Sequence, residues 1–517
     1  MSATHDASWV ADELAGKHLV ITGFTGFLAK VYVALILEHV PDIGRITLLV
    51  RPRSARKRAL QRVEEAFDTS PVFRRLRAQH GRDIGRWLGG RVHAVDADIE
   101  KPLCGLDAAA LERLGSADLV VHSAGLTDFS PDPLRALAVN VAGAMHAADL
   151  AKALEVPHVH VSTCYVAGVN DGECPEELQI GVAPNGTPFD AAAEVRALQM
   201  ACRRGEGAKT TKGRIDIGME RAERLGWPNI YTYTKGLAEH LVGLDEDATI
   251  VRPAIVECAR SFPFPGWNEG LNTAGPLAWL ISTAFRELPT RPDNRFDIIP
   301  VDDVARGLAT ISAAALQGRA GGVFQLASSD INPLRFGRTV ELTGLAMRRW
   351  VRKGGGQATD RVLQHLDPVP VAKQGFFNTD RLRRWTREAK ELLDDERPSW
   401  LQRVAGGTLD SLRDQAVDTD KQLKRIDDML DLYRPFIETH DWTFHTDRLR
   451  ALQPSEGPFC ADVEGIDWRH YWVDVEYPGL RTWCMPVLHG EKPPRDPASM
   501  PPLRIETETV LLRAASK

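Results

Sequence analysis

Short apolar runs alternate with helical periodicity through the first third of the chain. His18–Thr22 (HLVIT) is one such run and ends in a glycine turn. Residues 27–38 follow with Leu28, Tyr32, Leu35 and Ile36 spaced to bury one helix face. Runs at Arg45–Val50, 91–98, 117–123 and 159–163 predict four more strands, and 136–154 predicts a helix before the last of them. Near-continuous apolar strands between helices fit parallel strands covered on both faces. The predicted fold class is therefore α/β, a Rossmann-like doubly wound parallel sheet. Such sheets bind ligands at the carboxyl ends of their strands.

The pattern loosens over 170–221, where glycine, proline and polar residues surround a predicted helix at 191–203. This stretch reads as an insertion, either a substrate-shaping wall or a surface excursion. Regularity returns with a helix at Val301–Leu316 and a strand at Gly322–Leu326. Beyond the glycines at 354–356 the character changes. Charged amphipathic helices are predicted at 382–393, 400–412 and 423–436, with no strand between them. The expected division is a catalytic domain over 1–360 and a mainly helical domain over 361–517.

At 517 residues the chain is long for one hydrophobic core, which supports two domains. Its net charge of -6 gives no reason to expect nucleic acid as a partner. Between Arg51 and Arg91, however, twelve basic residues face four acidic ones. Most of these read as solvated helix surface; the first few, just after the second strand, are placed to meet a phosphate. Seven dispersed cysteines lack metal-ligand spacing, so a reducing compartment and no metal are expected. No signal-peptide core or run long enough to span a bilayer is visible, the nearest candidate being the short stretch 275–285. A cytoplasmic protein is expected, with peripheral membrane contact and a homodimer left open.

Candidate chemistry begins at the first turn. Thr22-Gly23-Phe24-Thr25-Gly26-Phe27-Leu28-Ala29 follows a strand and opens a helix. Gly23 suits the tight turn, Gly26 lets the backbone approach a pyrophosphate, and Ala29 takes the third small position. Gly23, Thr25, Gly26 and Phe27 are the candidate cradle. The second strand ends in Val50 and is followed by Arg51 and Arg53 rather than by a carboxylate. Arginine suits a ribose bearing a phosphate, so NADPH is the expected cofactor, with Arg51 preferred over Arg53. Asp98 and Ile99 are candidates for the adenine edge. Ala124 and Gly125 are small enough to let the cofactor pass.

Tyr231 and Lys235 stand four apart, on one helix face. A phenol beside an ammonium can deliver a proton to a developing alkoxide. Tyr233, two positions on, points elsewhere. Thr163 ends the fifth strand and supplies a hydroxyl for the oxyanion, with Ser162 in reserve. Asn140 is a candidate to organise a water or carbonyl near Lys235. Cys164 adjoins Thr163 but has no visible base to make it a nucleophile.

These segments resemble the fatty acyl-CoA reductase family, a branch of the extended short-chain dehydrogenases, over nearly the whole chain. The resemblance is carried by GFTGFLAK (23–30), HVHVSTCYVAG (158–168), PNIYTYTKGLAE (228–239), IVRPAIV (250–256), PFPGWNEGLNTAGP (263–276) and IIPVDDVARG (298–307). It is carried independently by YRPFIETHDWTFHTDRLRAL (433–452) and GIDWRHYWVDVEYPGLRTW (465–483). It implies a catalytic set of Thr163, Tyr231 and Lys235, with Lys235 also holding the nicotinamide ribose. It implies NADPH-dependent reduction of a long-chain acyl-CoA through a fatty aldehyde to a primary alcohol, with release of coenzyme A. An enzyme of the same fold that stops at the aldehyde is the alternative. The gap from Thr163 to Tyr231 is long for a short-chain dehydrogenase and leaves substrate selection open.

Overall fold

The computed structural model describes residues 6–55, 57–269, 287–355 and 432–506, with 275, 369–371 and 424 in addition. The predicted apolar runs become strands β1 (His18–Thr22), β2 (Arg45–Val50), β3 (Val92–Asp96), β4 (Leu119–His122), β5 (His158–Val161), β6 (Thr249–Pro253) and β7 (Gly322–Leu326). They form one sheet in the order β7-β6-β5-β4-β1-β2-β3, and every pairing in it is parallel. Such apolar strands need cover on both faces. Helices α1 (Phe27–His39), α2 (Ala59–Thr69), α3 (Gly143–Ala153), α4 (Ile230–Val242) and α5 (Val301–Leu316) are among those connecting them. Val20, Leu49, Val120, Ala147 and Leu150 join strands and α3 in one apolar cluster. A second cluster gathers Leu198, Ala222, Trp227, Tyr233 and Leu237.

Strand order reverses at β1, which pairs with β2 on one side and β4 on the other. The register sets Thr22 opposite His122, so the glycine turn lies beside the end of β4. This switch point is where an open sheet of this kind leaves a crevice. The helix before β5 is continuous through Pro133–Ala136, Leu137–Ala142 and Gly143–Ala153, and its middle piece is wound as a π-helix around Asn140. The insertion at 170–221 carries two helices, Ala191–Arg204 and Thr211–Leu225, rather than the single one predicted.

The chain divides into two compact units. One comprises Met1–Thr273, Asp297–Pro333 and Trp442–Lys517; the other comprises Ala274–Phe296 and Leu334–Asp441. This differs from a break at 360, because the residues after Trp442 build into the sheet unit. Trp442–Phe444 pairs in parallel with Gly172–Cys174. Arg448 donates to the carbonyls of Gly321 and Val323 and lies 4.0 Å over the Phe324 ring. The Tyr471 hydroxyl donates to the Cys258 carbonyl at 2.7 Å. From Trp442 onward, the aromatic blocks that resembled a separate domain thus complete the first unit's core, while 433–441 fall in the other unit. In the other unit, Glu287–Pro289 pairs with Val369–Val371, and Asn294 donates to the carbonyls of Glu438 and His440. The helices expected at 382–393 and 400–412, most of that at 423–436, and nearly all of 275–285 lie outside the described residues.

Candidate active site

The glycine turn is shaped by what touches it. Gly23 has φ +80, and a Cβ there would sit 2.6 Å from the Ala124 nitrogen. A side chain is excluded both by conformation and by the end of β4. Thr22 is buried and shares a 2.8 Å hydrogen bond with His122 Nδ1, which locks the two strand ends together. Gly26 caps α1 without a side-chain hydrogen bond, and the first turn holds no acidic residue. Uncapped amide groups and the helix dipole leave that end suited to an anion. Together with the small residues Ala124 and Gly125 on β4's end, these features fit a dinucleotide pyrophosphate over Gly23, Thr25, Gly26 and Phe27.

At the end of β2, the Arg51 guanidinium is paired with Glu100 at 2.6 Å. Glu100 is also held by Arg135 at 2.6 Å. Arg53 has no carboxylate partner among the described residues, which leaves its side chain the freer of the two. Arg62 donates to the Arg51 carbonyl at 2.5 Å and brings a third guanidinium to the group. Asp98 and Ile99 follow β3; the Ile99 side chain packs on Gly143 and its carbonyl bonds His146. Asn140 is committed to protein partners. It accepts from the Leu126 amide at 2.7 Å and donates to the Leu126 carbonyl and to Thr234. These bonds tie the Leu126 backbone to α4.

Helix α4 begins at the Asn229 cap, whose side chain accepts from the Thr232 amide at 2.9 Å. Tyr231 therefore lies in the first turn, where the helix field favours a phenolate. Burial pushes its phenol up to about 12, and the hydrogen-bonded Thr163 hydroxyl pulls the other way. Thr163 is buried just past β5 and accepts from the Tyr165 amide at 3.3 Å, leaving its own proton to donate. The Ser162 hydroxyl is buried without a hydrogen-bond partner among the described residues. One turn along α4, Lys235 is buried and donates to the Val161 carbonyl at 2.6 Å. Burial pushes its ammonium down to about 8, while Glu239 raises it.

Several residues of this site were not anticipated. His160 Nε2 lies 3.4 Å from Lys235 Nζ, and its ring stacks on His122 at 5.4 Å. Burial, and then Lys235, hold both imidazoles well below their ordinary values, so they stay neutral beneath the ammonium. Glu239, four residues after Lys235, forms a buried pair with Arg252 on β6 at 2.6 Å. The i, i+4 spacing of Lys235 and Glu239 was a readable signal; a lone arginine inside an apolar strand was not. Tyr233 is engaged as well. Its hydroxyl donates to Glu194 at 2.5 Å, and Glu194 takes Arg221 at 2.8 Å. This ties both insertion helices to the back of α4. Cys164 donates to the Arg252 carbonyl, and burial drives its thiol well up. It stays protonated, as a structural residue does.

Among the described residues no group of side chains could hold a metal ion, and no helix is long and apolar enough to cross a membrane. A family model of NAD-binding domains, described as male sterility protein, matches residues 21–308. Among the curated proteins, probable fatty acyl-CoA reductase 5 of Arabidopsis thaliana is 32% identical over 91% of this chain and 97% of that protein. The alcohol-forming fatty acyl-CoA reductase of Simmondsia chinensis is 27% identical over 91% of this chain and 98% of its own. Among solved structures, the terminal R domain of the myxalamid biosynthetic pathway superposes with a TM-score of 0.49 at 17% identity, covering 87% of this chain and 89% of that one. The matched span holds more than half of the chain, including the glycine turn and the Thr163, Tyr231 and Lys235 set, and this chain belongs to the fatty acyl-CoA reductase family.

Proposed function

We propose that this chain is an NADPH-dependent fatty acyl-CoA reductase that takes a long-chain acyl thioester through the aldehyde to the primary alcohol. The observation that carries the reading is the convergence of Tyr231, Thr163 and Lys235 beside the glycine turn at the sheet's switch point. Gly23, Thr25, Gly26 and Phe27 would hold the dinucleotide's pyrophosphate, Arg53 and Arg51 its ribose phosphate, and Lys235 its nicotinamide ribose. When bound, the reduced nicotinamide supplies a hydride to the carbonyl carbon.

The residues of the chain handle the oxygen. Thr163 donates a hydrogen bond to the developing oxyanion and Tyr231 gives it a proton. Removing one such preorganised donor typically costs about 3 kcal/mol of transition-state stabilisation. Lys235, held by Val161 and His160 one helical turn from Tyr231, brings an ammonium to the same helix face, and a cation near a phenol favours its ionised form. In the thioester round, the tetrahedral alcohol formed at the carbonyl carbon breaks its C–S bond. Coenzyme A leaves as the thiol, the oxygen becomes the aldehyde carbonyl, and the proton returns through Tyr231. In the aldehyde round there is no leaving group, so the protonated alkoxide is the product.

Product analysis with excess NADPH and hexadecanoyl-CoA, alongside the loss of NADPH absorbance, tests this reading. Two NADPH consumed per thioester, with alcohol and free coenzyme A as products, is the expected result. Aldehyde accumulating at one NADPH per thioester would replace the alcohol-forming reading with the aldehyde-forming one. Thioester binding without NADPH consumption would remove the reductase reading.

A further inference from the structure

Three imidazoles lie buried beneath the site. His122 on β4 stands opposite His160 on β5, and His158 is two positions back on the same strand. The period of a strand puts His158 and His160 on one face. The His160 ring stacks on His122 with centroids 5.4 Å apart and lies 6.2 Å from His158. All three are buried. Buried histidines are normally satisfied by hydrogen bonds. Here His160 Nδ1, His122 Nε2 and both nitrogens of His158 have no partner among the described residues. An apolar side chain of similar shape would fill the space of His160 without the cost of desolvating a ring nitrogen. Packing alone therefore does not account for this residue.

The bond that its ring does make supplies the reason. An ammonium has N–H groups only and no lone pair. Lys235 Nζ, 3.4 Å from His160 Nε2, is then the donor, and the ring's proton sits on Nδ1, the nitrogen without a partner. Another N–H of Lys235 goes to the Val161 carbonyl at 2.6 Å, so consecutive residues of β5 grip the ammonium and one N–H is left for the site. Bonds of this kind favour the charged amine, against burial, which disfavours it. Charges reach the pair from few directions. Glu239, one turn on along α4 and paired with Arg252 on β6, raises Lys235. Burial, then Lys235, His122 and His158, lower His160; burial lowers His158, and Asp245 raises it. The other helices packed on β5 direct their charges elsewhere. On α5, Asp302, Asp303 and Arg306 are engaged with one another and with Arg260; on α3, Asp149 and Lys152 are exposed.

We propose that His160 is a positioning residue of the reductase site: its Nε2 accepts from the Lys235 ammonium, fixes that group together with Val161, and holds the proton on it into the alkaline range. The inference rests on the reductase reading, which needs that charge on the face of α4 that carries Tyr231.

Two measurements on the full chain test it, one with turnover and one without. In the first, the pH dependence of kcat/KM is followed by NADPH absorbance with hexadecanoyl-CoA, and its alkaline limb marks the loss of the Lys235 proton. His160→Phe keeps a ring and removes the acceptor, and is expected to move that limb down by about 0.5–1 pH unit. His160→Gln puts an acceptor near the Nε2 position and is expected to restore the limb. In the second, Tm is read between pH 7 and 10 without cofactor. The buried lysine costs stability below its folded value of about 8, and the cost fades above it. His160→Phe lowers that folded value, so the variant's Tm relative to the wild type is expected to be least favourable at pH 7 and to climb as pH passes 8. The three histidines are neutral over this range and add no slope of their own. In a Lys235→Met background the same substitution is expected to give a flat difference. Should His160→Phe fail to fold, His160→Leu takes its place with the same expectations. A limb that stays in place while the plateau falls, a glutamine limb as low as the phenylalanine one, or a Tm difference that is flat with Lys235 present overturns the proposal. NADPH left unconsumed at every pH would instead sink the reductase reading, and the Tm slope would still decide on His160.

Discussion

Tyr231 and Lys235 are shifted by the same burial in opposite directions, and function follows from the balance. The phenol, pushed up to about 12, stays protonated until a positive neighbour and a reacting oxygen draw its proton out. Tyr231→Phe is expected to cut the first reduction by roughly 10²–10⁴-fold while NADPH affinity stays within about twofold; an equal fall in cofactor affinity would contradict the assigned role. The Lys235 ammonium is pushed down to about 8 from an ordinary 10.5. Below pH 8 both folded and unfolded chains carry its charge, and the folded one bears the whole burial cost, roughly 3 kcal/mol. Above it the folded state sheds the proton first, and the cost fades as pH nears the unfolded value. Lys235→Met is therefore expected to raise Tm at pH 7 and to lose that advantage toward pH 10, while activity is abolished. Thermal unfolding across that pH range checks it; a lower Tm at pH 7 would mean that the bond to Val161 outweighs burial. At the phosphate end, Arg53→Ala is expected to erode the preference for NADPH over NADH more than Arg51→Ala does, because Glu100 already occupies Arg51. Steady-state kinetics with both cofactors decides between them.

At the scale of elements, α4 is the part on which the site is assembled. Its front carries Tyr231 and Lys235, its back holds the insertion through Tyr233 and Glu194, and its next turn carries Glu239. The Glu239–Arg252 pair fastens it to β6 with both partners buried. Breaking such a pair strands a charge at a cost of about 3–5 kcal/mol. Glu239→Gln is expected to lower the unfolding free energy measured in urea by that much and to drop the Lys235 pKa, since Glu239 raises it. An unchanged midpoint would show the pair to be solvated. The helix itself was legible, because the four-residue spacing of Tyr231 and Lys235 is a local feature. Its attachments were not, because Glu194 and Arg252 belong to other elements, and which of their side chains meet the helix is set by packing. The π-wound stretch at Leu137–Ala142 is of the same kind: it sets Asn140 where Leu126 and Thr234 meet, and no local signal marks it.

For the whole molecule, the chief surprise is where the C-terminal residues go. The aromatic blocks at 433–452 and 465–483 read as parts of a separate domain by their position after the helical stretch. Yet Trp442 donates to the Gly168 carbonyl and Phe444 meets the Tyr165 ring at 5.4 Å, beside the turn that carries Thr163. A chain ending at residue 441 should consequently fail to give a soluble, NADPH-binding protein, since it exposes that aromatic core and takes from the Cys258 backbone its bonds to Glu476 and Tyr471. Expression, gel filtration and cofactor titration check this; a soluble truncated chain with unchanged Tm would restore a boundary near residue 360. The basic tract after β2 follows the same logic, Arg74 and Arg77 being taken up by Asp496.

What the order of residues determined alone was everything that repeats locally or lies within a few positions. That includes the parallel α/β sheet, the glycine turn between β1 and α1, and the tyrosine–lysine pair one helical turn apart. Those follow from side-chain periodicity and backbone sterics, which neighbouring residues settle among themselves. Only the folded molecule decided which charges are neutralised and which are left to act. Arg51 lost its freedom to Glu100, Lys235 acquired His160, and Asp496, more than four hundred residues on, took up Arg74 and Arg77. Ion pairs and burial depend on separation in space, and between residues far apart along the chain that separation is set by packing.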